Sequence, residues 1–133
     1  MQTFLPYPSF TDSMACLDDS RLGNQVYREG MTLLRGGWPN HPASKMWNGY
    51  EAALAEYLIC GAHELMRRGK DYRDRPWYDE ICEIRSTNPY IEPVWLGDDE
   101  FHASHRSNLL RKDPVRYGQF GWTEPHDLEY VWP

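Results

Sequence analysis

In the stretch LDDSRLGNQ, from Leu17 to Gln25, two carboxylates stand just ahead of an arginine. An aspartate beside an arginine stays ionised, so Asp18 and Asp19 suit a general base or a group that stabilises a developing cation. The same spacing also suits an N-cap with a local ion pair to Arg21. A second source of chemistry is the α-amine of Met1. Such amines have pKa values of about 7.7–8.0, so a fraction is an uncharged nucleophile at neutral pH. Gln2 is bulky, so Met1 is expected to be retained. A third candidate is His41 in PNHPA, where flanking prolines stiffen the loop and aim the ring. A helix-entry residue bonded to backbone is the plainer alternative for it.

The segment HASHRSNLLRKDPVRYGQFGW, His102 to Trp122, carries four cations and several aromatics. On a helix, His102, His105 and Arg106 project from one face. Arg111, Lys112 and Arg116 follow near its C-terminal end, where the helix dipole favours positive charge. That surface suits phosphate oxygens, and Tyr117, Phe120 and Trp122 suit stacking on bases. A solvated helix over an ordinary core is the competing reading. The histidines are spaced i, i+3 and no cysteine pair accompanies them, so neither a metal nor a cofactor is expected.

The elements that must position these residues read as helices. PSFTDSMACLD starts one, with Ser9 as N-cap and Asp12 in a capping-box position. DDSRLGNQVYREGMTLLRGG makes a second, closed by Gly36 and Gly37. From Ser44 to Arg68, apolar residues recur at three-four spacing, including Trp47, Tyr50, Leu54, Leu58 and Leu65, and Gly69 ends the run. This predicts one long central helix, with small residues such as Ala53, Gly61 and Ala62 allowing close neighbours. A polar connector with a short helix near Pro76 follows, and STNPYIEPVWLG is extended because of Pro89 and Pro93. Asp98 or Asp99 caps a last long helix reaching about Lys112, with Pro114 stopping it. No clean strand alternation occurs. The expected fold is mainly α, a compact helical bundle formed by residues 1–133 as one domain.

The 133 residues carry 20 acidic and 14 basic side chains, a net charge of −6. That balance argues against a broad phosphate-neutralising surface. The charge is uneven, however: residues 101–117 hold four bases and one acid, whereas residues 71–100 hold nine acids and three bases. No run is apolar enough to span a membrane, and MQTFLPYPSF lacks the pattern of a secretory signal. Cys16, Cys60 and Cys82 are odd in number and far apart, as expected of reduced thiols in a cytoplasmic protein.

The run NHPASKMWNGYEAALAEYLICGAHELMRRG, with its Asn-His-Pro start and acidic-Met-x-Arg-Gly end, resembles the pyrimidine-dimer DNA glycosylases of the phage endonuclease V type, nearest a divergent bacterial and phage branch. LDDSRLGNQ is similar to that family's early helix, and LLRKDPVRYGQFGW to its lysine- and tyrosine-rich end. The resemblance implies an all-helical domain that binds DNA on a concave face and flips out a base. It also implies attack on the sugar C1′ by the N-terminal amine, then a Schiff base and strand cleavage. Carried over, the amine is that of Met1 and the family's early arginine is Arg21. The catalytic glutamate that follows this arginine is matched by Leu22, leaving Asp18 or Asp19 to take its part, and a second arginine is matched by Gln25.

The expected function is thus that of a DNA-binding enzyme acting on a damaged or modified pyrimidine. Its cleft would lie between the early helix, the Asn40-His41-Pro42 loop and the basic C-terminal helix. Arg21, Asn24, Gln25, Asn40, Trp47, His102, His105, Arg106, Lys112 and Tyr117 are the substrate-binding candidates. Met1, Asp18, Asp19 and His41 are the catalytic ones. A non-catalytic module that kept the fold, or an enzyme acting on a free pyrimidine nucleotide, are the alternatives.

Overall fold

A computed structural model describes residues 1–133, and they form helices and connectors with no β-strand. Helix α1 (Phe10–Cys16) begins where the Ser9 side chain accepts a bond from the Asp12 amide, as the capping pattern predicts. The second helix is continuous from Asp19 to Leu34 but not uniform. It runs as α2 (Asp19–Gly23), a π-helical stretch over Asn24–Glu29, and α3 (Gly30–Leu34). In the π stretch the Gly30 amide bonds back to the Gln25 carbonyl. Gly30 permits this crowding: a Cβ there would meet the Gln25 oxygen and Leu58 Cδ2, each at 2.2 Å. Wide turns of this kind are frequent at functional sites.

The long helix expected over Ser44–Arg68 is two helices. Helix α4 (Pro42–Trp47) stops, and α5 (Glu51–Arg67) starts after three intervening residues. Between them Gly49 has φ +85°, a left-handed conformation that breaks the helical path. The apolar periodicity carries across the break because both helices bury their stripe in the same core. The connector helix α6 (Pro76–Thr87) is longer than expected, with Pro76 at its first turn. Helix α7 (Asp99–Lys112) is as read, with the Asp98 side chain accepting from the Glu100 amide, acids in its first turn and bases in its last. The long helix ends just ahead of Pro114, as expected, and Pro114 then opens the short α8 (Pro114–Tyr117).

Helix α5 lies at the centre, against α1, the π stretch, α3 and α6. Its buried face presents Ala53, Leu54, Tyr57, Leu58, Ala62 and Leu65. Phe10, Trp47 and Tyr57 pack ring against ring beneath the chain start, and Trp95 lies against both Trp47 and Phe101. At the far end of α5, Arg68 joins Glu64, Asp19 and the Ala15 carbonyl, tying α5 to the entry of α2. No helix is long and apolar enough to cross a membrane.

Candidate functional site

Residues 2–6 are buried yet form no helix, so their backbone polar groups need partners from elsewhere. Side chains supply them. Gln25 donates to the Gln2 carbonyl at 2.7 Å and accepts from the Phe4 amide at 2.8 Å. Tyr57 donates to the Phe4 carbonyl at 2.7 Å. His105 Nδ1 accepts from the Leu5 amide at 2.8 Å, and His102 Nδ1 lies 2.7 Å from the Leu5 carbonyl. A carbonyl only accepts, so His102 carries its proton on Nδ1; its Nε2 then accepts from the Gly97 amide. Arg106 donates to the Pro6 carbonyl. Trp47 donates to the Thr3 hydroxyl, fixing one more point of the arm.

This rack corrects the expected role of several residues. His102 and His105 do not face solvent; they are 1% and 0% exposed. Burial, and then the neighbouring His102, lowers the His105 pKa to about 3, so the ring is neutral and serves as an acceptor. Arg106 is held by Glu124 as well as by Pro6. Trp47 is buried in the core, and so is Tyr117. Arg116 donates to the carbonyls of Cys16 and Leu17, and Arg111 to Asn108. The basic strip is therefore largely consumed inside the protein. The helical periodicity was correct, but the face it assigned to solvent is packed beneath the chain start and the C-terminal segment.

The arm delivers Met1 to a depression of about 270 Å³ on the outer side of the π stretch. Met1, Gln2 and Phe4 form one wall, and Arg21, Asn24, Gln25 and Glu29 form another. Lys112, from the end of α7, and Tyr130, from the C-terminal segment, complete it. Gln25 Nε2 also donates to Glu29 at 3.0 Å, orienting that carboxylate. Burial, followed by the charges of Arg21 and Arg111, lowers the Lys112 pKa. Burial raises that of Tyr130 to about 12, so its hydroxyl stays protonated at neutral pH. A slightly larger groove of about 300 Å³ between α3, α4 and α5 lacks Met1 and has Glu51 and Lys45 on its walls.

Of the expected site residues, Met1, Arg21, Asn24, Gln25 and Lys112 come together here. Asp18 stands at the N-cap of α2, accepting from the Arg21 amide at 3.2 Å and pairing with its side chain at 3.0 Å. Burial raises its pKa, but bonds from Tyr117 and Arg21 outweigh that and leave it below the ordinary range. Asp19 pairs with Arg68 at the other end of α5. His41 accepts from the Ala43 amide as the N-cap of α4 and packs against Trp132, and Asn40 is exposed beside it. The Asn-His-Pro loop therefore does not line the depression that holds Met1. Leu22 is fully buried. The carboxylate beside Met1 is Glu29, which follows Arg28 two helical turns beyond Arg21. An Arg-Glu pair, Arg28-Glu29, thus stands in the second helix, and spacing alone gave no sign that its glutamate would share a wall with Met1.

Residues 1–85 match the family model described as pyrimidine dimer DNA glycosylase. The chain belongs to that family. Over 28 residues it is also 46% identical to a nucleoside diphosphate kinase of Persephonella marina, a stretch that covers 21% of this chain and 20% of that protein. The chain thus spans about a fifth of the length of that curated relative. No solved structure matches it.

Proposed function

We propose that the protein is a DNA glycosylase with strand-cleaving activity at a damaged pyrimidine, and that its site is the depression around Met1. The observation that carries this reading is the pairing of the Met1 terminus with the Glu29 carboxylate in one cavity, in a chain of this family. An amine attacking C1′ forms the N–C1′ bond as the glycosidic bond breaks, and the base leaves with the electron pair and takes up a proton. Loss of a proton from nitrogen and opening of the sugar ring give an imine. Glu29 is the group available to move protons between the amine, the ring oxygen and C2′. Removal of the C2′ proton then expels the 3′ phosphate and cuts the strand.

Arg21 and Lys112 supply positive charge for the flanking phosphates, and the Tyr130 ring suits stacking on an unpaired base. An incision assay on duplexes containing a cyclobutane pyrimidine dimer, an abasic site or neither tests the reading. Cutting of the first two and not the third is expected. No cutting of any duplex, with the free nucleotide bound instead, would replace it with the nucleotide alternative.

A further inference from the structure

Gln25 was a candidate for touching substrate, yet it is 1% exposed and its amide is spent on the protein. Its Oε1 lies 2.8 Å from the Phe4 amide and 2.9 Å from the Tyr57 hydroxyl. Its Nε2 donates to the Gln2 carbonyl at 2.7 Å and to Glu29 at 3.0 Å. The orientation is not interchangeable. Turning the amide over would set its oxygen against a carbonyl and a carboxylate, and its NH2 against an amide donor. One side chain therefore holds the backbone at Gln2 and Phe4, just after Met1, together with the Glu29 carboxylate.

We infer that Gln25 is a positioning residue that fixes the distance and orientation between the Met1 amine and Glu29. The role rests on the reading of the site given above. Its geometry explains why the residue lies in a π-helical stretch. The wider turn carries Gln25 inward to the arm while Glu29, four residues on, stays half-exposed at the cavity wall. Catalytic groups lose rate when displaced by as little as about 1 Å, whereas affinity made elsewhere persists. Gln25 is thus expected to act on the chemical step and not on DNA binding.

The test uses the full chain with Gln25→Glu and Gln25→Met, each first checked for folding by its thermal midpoint. Imine formation on an abasic-site duplex is trapped with borohydride at saturating DNA across pH 5–9, and duplex affinity is measured separately. Gln25→Met should trap at least about 10-fold more slowly with affinity within about twofold, since a misplaced group costs rate. Gln25→Glu sets a second carboxyl against Glu29, so its pH–rate profile should move toward higher pH. A folded variant of either kind with the unaltered rate and profile overturns the positioning role alone. Absence of any adduct with the unaltered protein overturns the reading of the site, and this role with it.

Discussion

Glu29 and Leu22 lie on the same helix, seven residues apart, and their environments assign them opposite work. Leu22 is fully buried in the core, while Glu29 is half-exposed at the wall that Met1 reaches. Replacing Glu29 with glutamine keeps size and hydrogen bonding but removes the carboxylate. Proton transfer by a positioned side chain is worth about 10²–10⁴ in rate, so Glu29→Gln should lower the incision rate by that order at an unchanged thermal midpoint. Incision at the unaltered rate would remove Glu29 from the mechanism. At this scale the sequence showed residue types more reliably than their places. Asp18, Asp19 and His41 carry the right groups for catalysis, yet each is consumed by a cap or an ion pair. Such local partners are a property of helix ends, and spacing alone does not separate them from a site.

The arm and the π stretch are the elements on which the geometry depends. The arm has no backbone ladder of its own, so Gln25, Tyr57, His102 and His105 substitute for one. His105 couples this to pH. Its pKa of about 3 in the folded protein lies below the ordinary histidine value of about 6.5, so folding holds it neutral. The stability it contributes is present above about pH 6.5 and is lost progressively as pH falls toward 3, because the unfolded chain binds the proton first. The slope for one such group is about 1.4 kcal/mol per pH unit. Denaturant unfolding of His105→Gln should show a shallower acid decline than the unaltered protein; parallel curves would exclude His105 as the cause. The elements were legible where a cap or a proline marks them, as at Ser9, Pro76 and Asp98. The break at Gly49 was hidden because apolar spacing continues on both sides. The π stretch leaves no signature in side-chain type, since it is a matter of one wider backbone turn.

Across the whole molecule, the negative net charge and the internal use of arginines limit how much DNA it can grip by charge. Arg68, Arg106 and Arg35 each pair with a carboxylate, and Arg111 and Arg116 bond to groups of the protein. At the depression the cations are Lys112 and Arg21, the latter also paired with Asp18. Two phosphate contacts imply a slope of log affinity against log salt of about −2. A titration between 50 and 200 mM salt should give that shallow dependence; a slope steeper than about −6 would mean that a cationic face elsewhere does the binding. The mainly α fold was legible from helix periodicity, and the family from motifs spread along the chain. The cleft was not, because it is built from the chain start, the middle of one helix, the end of another and the C-terminal segment.

In the proposed function the amine at Met1 performs the attack, and mapping a trapped adduct distinguishes it from attack by a lysine. The protein is mixed with a duplex bearing one abasic site, reduced with borohydride, digested, and its peptides weighed. A sugar-derived mass is expected on the peptide that begins with Met1, with its loss when that amine is first acetylated. An adduct on a lysine, Lys112 above all, with the Met1 peptide unmodified would contradict it.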